Sequence, residues 1–287
     1  MHSFANHFFD FARSVTSESR LRIAPTPSGF LHPGNALNFT LNWLAAKFGG
    51  RRISDASPAN ILLRIDDLDV ERKRQEFEDD IFESLQWLKL DWDEPPIRQS
   101  NHLTRYFEIL DRLRAKNLLF ACRKSRKDLE PFGGVYPSEF RDQRLSLDAD
   151  DVSWRIKTPP GFPLPDFVVR RRDGIPAYQV ASFADDLHFG MTHIIRGADL
   201  ADSTAAQCFL AAELSEEKFL KINFLHHPLV LGEAGEKLSK SAGSASLKAL
   251  REAGRGPEKV FQTVGKLLDL DGDSANSLLE SLHLRLT

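Results

Sequence analysis

Two short stretches far apart in the chain carry groups suited to a single reaction. His32-Pro33-Gly34-Asn35 lies near the start and Lys237-Leu238-Ser239-Lys240-Ser241 near the end. Together they offer an imidazole, the amides of Gly34 and Asn35 at a helix start, two ammonium groups and hydroxyls. These are the groups needed to hold a triphosphate while its α-phosphorus is attacked. Taken singly each is weak, since His-Pro-Gly-Asn is more often a plain turn and a lysine pair more often solvated surface. Their joint presence, with the loop Pro25-Thr26-Pro27-Ser28-Gly29 just before the histidine, favours ATP-dependent activation of a carboxylate.

The elements that must position these groups follow from patterning. An apolar run over 21–24 stops at the Pro-Thr-Pro-Ser-Gly loop, and a helical pattern runs over 35–48. Residues 60–65 read as a buried strand ending in Asp66, Asp67 and Asp69, followed by a charged helix over 71–88, which makes a βαβ unit. A further helix is expected over 103–116 and a strand over 118–122. A polar, weakly patterned stretch covers 123–151, and strands return at 152–157 and 167–171. A strand at 193–196 leads into a helix over 199–214, and an apolar run over 222–231 precedes a glycine-containing lysine loop at 232–243. In such a sheet the ligand belongs at the carboxyl ends of the strands, where Pro25 to Gly29, Asp66 to Asp69 and Arg196-Gly197 all fall.

Bulk properties set the class. With 41% hydrophobic and 28% charged residues, the composition is that of an ordinary globular protein. No run reaches the roughly eighteen apolar residues of a membrane helix, so no membrane partner is expected. The net charge of −3 argues against a protein wrapped in nucleic acid. Local basic clusters at Arg51-Arg52, Arg123 to Lys127 and Arg170 to Arg172 still permit an RNA contact. Phe4, Phe8, Phe11 and Val15 are spaced like one face of a helix, without the basic-then-apolar order of a signal peptide. The two cysteines, Cys122 and Cys208, allow at most one disulfide, and a reducing cytoplasm is expected.

The residues resemble those of class I aminoacyl-tRNA synthetases, in the glutamyl and glutaminyl subgroup. The stretch from Arg22 to Asn35 is similar to the subgroup's first signature. Leu63-Arg64-Ile65-Asp66-Asp67, Ala177-Tyr178-Gln179, Asp185-Asp186, the stretch from Thr192 to Asp199, and Lys237 to Ser241 resemble later blocks in the right order. The resemblance implies an α/β, Rossmann-like parallel-sheet catalytic domain with an inserted acceptor-binding-like subdomain and a short helical C-terminal segment. The expected divisions are an N-terminal extension over 1–19, a first catalytic half over 20–122, the insert over 123–175, a second catalytic half over 176–245 and a helical segment over 246–287. It also implies a glutamate pocket of Arg22, Ala24, Thr26, Asp66, Tyr178 and Arg196. ATP would meet His32, Gly34, Asn35 and Lys240, and His32, Asn35, Lys237 and Lys240 would serve catalysis. Charge supports the carry-over, because glutamate's two carboxylates and one ammonium match two guanidiniums and one carboxylate. A neutral amide would leave one desolvated guanidinium without its anion, so glutamate is expected over glutamine.

Three departures refine the expectation. The chain has no room after the lysine loop for the anticodon-binding region of full-length glutamyl enzymes. That resembles the short branch of the subgroup, which activates L-glutamate without tRNA and attaches it to the queuosine base of tRNA(Asp). Many members of that branch hold zinc in the insert, whereas here the corresponding positions are Cys122, Lys124, Tyr136 and Phe140. One thiol and one phenol do not make a closed four-ligand site, so no structural zinc is expected. Asp66 stands where bacterial glutamyl members usually have glutamate, one methylene longer. ATP with Mg²⁺ is the expected cosubstrate, and the chain is expected to act as a monomer. Two alternatives stay open: a compact enzyme charging tRNA(Glu), and a non-catalytic RNA- or protein-binding paralogue.

Overall fold

The computed structural model describes residues 3–49, 58–133, 135–229 and 246–286. Lys237, Lys240 and the rest of the 232–243 loop lie outside them, as do Arg51 and Arg52. In chain order the elements are α1 (Phe4–Ser14), β1 (Arg20–Ile23), α2 (Pro33–Gly49), β2 (Asn60–Ile65), α3 (Gln75–Trp87), β3 (Ile97–Arg98), α4 (Leu103–Ala115) and β4 (Leu119–Cys122). Then come α5 (Arg126–Leu129), β5 (Ser153–Ile156), β6 (Phe167–Arg170), α6 (Tyr178–His188), β7 (His193–Gly197), α7 (Ala201–Glu213), α8 (Glu217–Leu220) and β8 (Asn223–His227). The last three are α9 (Leu247–Glu252), α10 (Glu258–Leu268) and α11 (Ala275–Leu286). They form two compact units, one of 1–101, 191–200 and 222–287, the other of 102–190 and 201–221.

The first unit is the expected Rossmann-like α/β arrangement. β1 pairs with β2 in parallel, Arg22 opposite Leu62, and β2 pairs with β3 in parallel, Arg64 opposite Ile97. β7 pairs with β8 in parallel, Arg196 opposite His226. Thr192 brings the two groups together, its amide donating to Arg20 O at 3.0 Å and its hydroxyl accepting from the Arg20 amide at 2.9 Å. Side chains alternate along a strand. Leu21, Ile23, Ile61, Leu63, Ile65, Ile195 and Leu225 therefore enter one shared core, and Arg22, Leu62, Arg64, Ile194, Arg196 and His226 point to the opposite face.

Helix α2 is buried almost all round from Ala36 to Gly49. Such a helix needs neighbours on every side, and it has β1 and β7 on one side and α1, α10 and α11 around the rest. Its polar positions are satisfied internally: Asn38 and Asn42 each donate to Ile195 O at 3.2 Å, and Thr40 donates to Ala36 O. At its end Gly49 admits α1's following residue so closely that a Cβ there would lie 2.5 Å from Val15. The Phe-rich N-terminal segment thus forms a helix, as its spacing predicts, and sends Phe8, Phe9, Phe11 and Ala12 into the same core as α2.

The expected helix over 71–88 begins later, at Gln75. Residues after Asp69 first make a turn in which the amides of Arg72 and Lys73 donate to Asp69 O, and Lys73 reaches back to Asp67.

The second unit holds the antiparallel sheet β4-β5-β6 and helices α4 to α8. Asp185 of α6 is fully buried and accepts from Arg105 and Tyr106 of α4, each at 2.8 Å, which ties α6 to α4. The weakly patterned stretch after β4 contains the one-turn α5, set by a capping box between Ser125 and Asp128. No disulfide joins Cys122 and Cys208.

Candidate active site

The histidine motif folds back on itself. His32 Nδ1 accepts from the Gly34 amide at 3.1 Å, the Asn35 amide donates to His32 O, and the Asn35 side-chain oxygen accepts from the His32 amide at 3.0 Å. With Nδ1 accepting, the neutral ring carries its proton on Nε2. The head of α2 thus carries two side-chain donor groups, His32 Nε2–H and the Asn35 NH2. The amides of Gly34 and Asn35, expected to face a phosphate directly, are instead engaged with His32.

Glycine at 34 suits this arrangement, because a Cβ there would lie 3.0 Å from two atoms of the His32 ring and push the ring aside. Outside the motif, Leu31 is held from both sides. Its amide donates to Asp80 of α3, and its carbonyl accepts from the Leu247 amide at the start of α9. Arg251 of α9 locks the brace by binding Asp80, Glu83 and Ser84.

Arg22 and Arg196 lie on the same sheet face, at β1 and β7, and both are buried, 5% and 2% exposed. The Arg196 guanidinium stacks 4.9 Å from the Phe224 ring. Burial, the Arg196 charge and His227 push the His226 imidazole below its ordinary range, so it adds no second positive charge near pH 7. Asp66 follows β2 directly, and its amide donates to Pro25 O at 2.8 Å, which draws the Pro25 to Gly29 loop beside it. Ala24 is half-buried and Thr26 exposed along that loop. Tyr178 opens α6 in the second unit and is also exposed.

Two features were not read from the sequence. Arg64 donates to both oxygens of Asp66, from Nε at 2.6 Å and from Nη2 at 3.1 Å. The signal was available, since residues two apart on a strand share a face. Asp67 is a bracing group: it accepts from Lys73 Nζ, the Ser100 amide and the Ser100 hydroxyl, all within 2.8 Å. Burial tends to raise its pKa, but those bonds and the Lys73 charge outweigh it and hold the carboxyl below its ordinary value.

The four positions that correspond to zinc ligands come together without making a zinc site. The Tyr136 hydroxyl lies 3.3 Å from Cys122 Sγ and 2.9 Å from Phe140 O, and the Lys124 ammonium sits 4.8 Å from the centre of the Phe140 ring. A thiol, a phenol, an ammonium and a phenyl ring do not supply the four donors that structural zinc takes. Burial raises the Cys122 pKa, yet bonds from Tyr136, Gln143 and the Lys124 amide bring it below its usual value, and Tyr136 is pushed well up. Among the described residues no group of three or more His, Cys, Asp or Glu side chains is placed to hold a metal ion, and no helix is long and apolar enough to cross a membrane.

A family model described as tRNA synthetases class I (E and Q), catalytic domain, matches residues 18–133 and 141–278. The chain belongs to this family. It is accordingly a ligase-type enzyme built on the class I fold. Among its relatives, a protein of Synechococcus sp. (strain CC9605) named Glutamyl-Q tRNA(Asp) synthetase is 39% identical over 277 residues, covering 92% of this chain and 89% of the relative. A Glutamate--tRNA ligase of Burkholderia cenocepacia (strain HI2424) is 34% identical, covering 91% of this chain but 60% of the relative. The fold is shared with the glutamate-tRNA synthetase of Elizabethkingia anophelis, at TM-score 0.73 and 23% identity over 92% of this chain and 65% of that one.

Proposed function

We propose that this synthetase activates L-glutamate with MgATP, without tRNA, and transfers the glutamyl group to the queuosine base of tRNA(Asp). The observation that carries the amino-acid half is the placement of Arg22 and Arg196 on one sheet face with Asp66 at the adjoining strand end. Two guanidiniums can each take one carboxylate in a fork, and a carboxylate can take the ammonium. Ala24 and Thr26 line the approach along the loop, and Tyr178 is assigned on its sequence motif alone. The acceptor half is supported by relatedness: the chain is 39% identical to the relative named Glutamyl-Q tRNA(Asp) synthetase against 34% to the glutamate ligase.

In the first step a substrate carboxylate oxygen attacks the α-phosphorus in line. One P–O bond forms, the bond to the bridging oxygen breaks, and pyrophosphate leaves with that electron pair. His32 Nε2–H and the Asn35 amide group donate to phosphate oxygens at the head of α2, and Gly34 keeps the ring in place. Lys237 and Lys240, outside the described residues, are assigned to the departing pyrophosphate by their motif. Catalysis then rests on alignment and preorganised donors, with no covalent enzyme intermediate. A tRNA substrate places the work in the cytoplasm.

The test is ATP–pyrophosphate exchange with glutamate, glutamine and aspartate, each with and without tRNA, followed by transfer to tRNA(Asp) with and without queuosine. Exchange with glutamate alone and transfer only to queuosine-containing tRNA(Asp) are expected. A requirement for tRNA(Glu) in exchange, with charging at its 3′ end, would replace this reading by a compact glutamate ligase. Absence of nucleotide binding would replace it by a non-catalytic paralogue.

A further inference from the structure

We infer that Arg64 is a positioning residue for amino-acid recognition, acting by holding the Asp66 carboxylate where a substrate ammonium meets it. The inference rests on the reading of Asp66 as the ammonium's partner.

Arg64 is 1% exposed, among the largest fully buried side chains in the protein. A guanidinium in such a place is costly unless it is paired and hydrogen-bonded. Its pairing is specific: Nε to one oxygen of Asp66 at 2.6 Å and Nη2 to the other at 3.1 Å. A single bond would leave the carboxylate free to swing about its last torsion, whereas the two-bond fork fixes that torsion. The backbone end is fixed as well, because the Asp66 amide donates to Pro25 O. Both ends of this short acid are therefore pinned. A carboxylate offers about four acceptor positions, so the fork alone does not exhaust it.

Charge gives the pair a second consequence. Arg64 and Asp66 sum to zero, so Asp66 adds no uncompensated anion to the sheet face that carries Arg22 and Arg196. Substrate carboxylates approaching Arg22 and Arg196 then meet no uncompensated charge from Asp66, while the ammonium still finds a fixed oxygen. That arrangement favours a dicarboxylic amino acid over its amide.

The experiment compares Arg64→Gln and Arg64→Lys with wild type by ATP–pyrophosphate exchange, with thermal unfolding as the control for folding. A misplacement of about 1 Å costs on the order of 100-fold, so Arg64→Gln should raise the glutamate KM roughly 10- to 100-fold. The ATP KM should stay within about twofold, since only amino-acid binding is lost. Arg64→Lys, which keeps the charge but not the fork, should fall between. In an Asp66→Asn background, Arg64→Gln should add nothing. Folded Arg64→Gln protein with an unchanged amino-acid KM overturns the inference, as does a parallel rise in both KM values. Failure of both variants to fold would likewise overturn it and make Arg64 a purely structural residue. If wild type activates a different amino acid, the glutamate reading falls alone, because every amino acid presents the ammonium and Arg64 is then scored on that substrate's KM. If wild type activates none, both fall.

Discussion

Replacing Gly34 by alanine should move stability and activity in opposite directions. Gly34 is the second residue of α2, and a Cβ there would meet His32 Cε1 and Nδ1 at 3.0 Å. Comfortable carbon contacts lie near 3.5 to 4.0 Å, so the ring must retreat by about half an ångström. That movement weakens the 3.1 Å bond from the Gly34 amide to Nδ1 and with it the aim of the Nε2 proton. Since a misplacement of about 1 Å costs on the order of 100-fold, this smaller one should lower kcat/KM for ATP by about tenfold. Alanine is meanwhile the better helix former by about 0.5 to 1 kcal/mol. At this size that gain corresponds to a melting temperature higher by about 1 to 3 °C. Exchange kinetics and a thermal melt on the same preparation measure both effects. A variant with unchanged ATP kinetics would show that the ring's placement against Gly34 does not matter for the nucleotide.

Other expectations can be checked with equally simple measurements. Burial holds the His193 imidazole below its ordinary value of 6.5, so the folded protein resists a proton that the unfolded chain accepts. Stability should therefore fall as pH drops below about 6.5, until the folded-state pKa is passed. Thermal melts at stepped pH should show this, with a shallower slope in His193→Gln. Phe8 is fully buried in the core around α2, and Phe8→Ala should cost about 3 to 5 kcal/mol in urea unfolding; a loss near zero would mean α1 is not packed there. Metal analysis after dialysis should find no zinc, and chelator should leave the melting temperature unchanged. One retained equivalent of zinc would contradict the donor set at Cys122 and Tyr136.

The histidine motif, the acidic end of β2 and the arginine of β7 were legible because each couples a recognisable residue type to the end of a patterned strand. The strands were read only as apolar runs, and the alternation of Leu21, Leu63 and Ile195 that puts Arg22 and Arg196 on a common face came from the structure. What sequence reading did not supply is which groups satisfy one another. Arg64 passed as part of a block, although its place two residues before Asp66, at the end of β2, puts the two side chains within reach of each other. The Gly34 and Asn35 amides were assigned to phosphate because helix starts usually bind anions, and only the local fold of His32 shows them already engaged. The start of α3 was read too early because charged residues after Asp69 suit a helix and a turn alike, and the contact of Lys73 with Asp67 decides for the turn.

The hydrogen bonds between Arg20 and Thr192 join residues separated by 172 positions. Pairings of that span are slow to form, since a long loop must close before any contact rewards it. During synthesis β1 and β2 emerge early, yet the strand that carries Arg196 arrives only after the whole stretch of 102–190 has left the ribosome. If Arg22 and Arg196 take the two carboxylates as proposed, a nascent chain halted before that point has one arginine and no counterpart for the second carboxylate. On that reading, competence to hold the amino acid is acquired late, when the sheet's two halves dock.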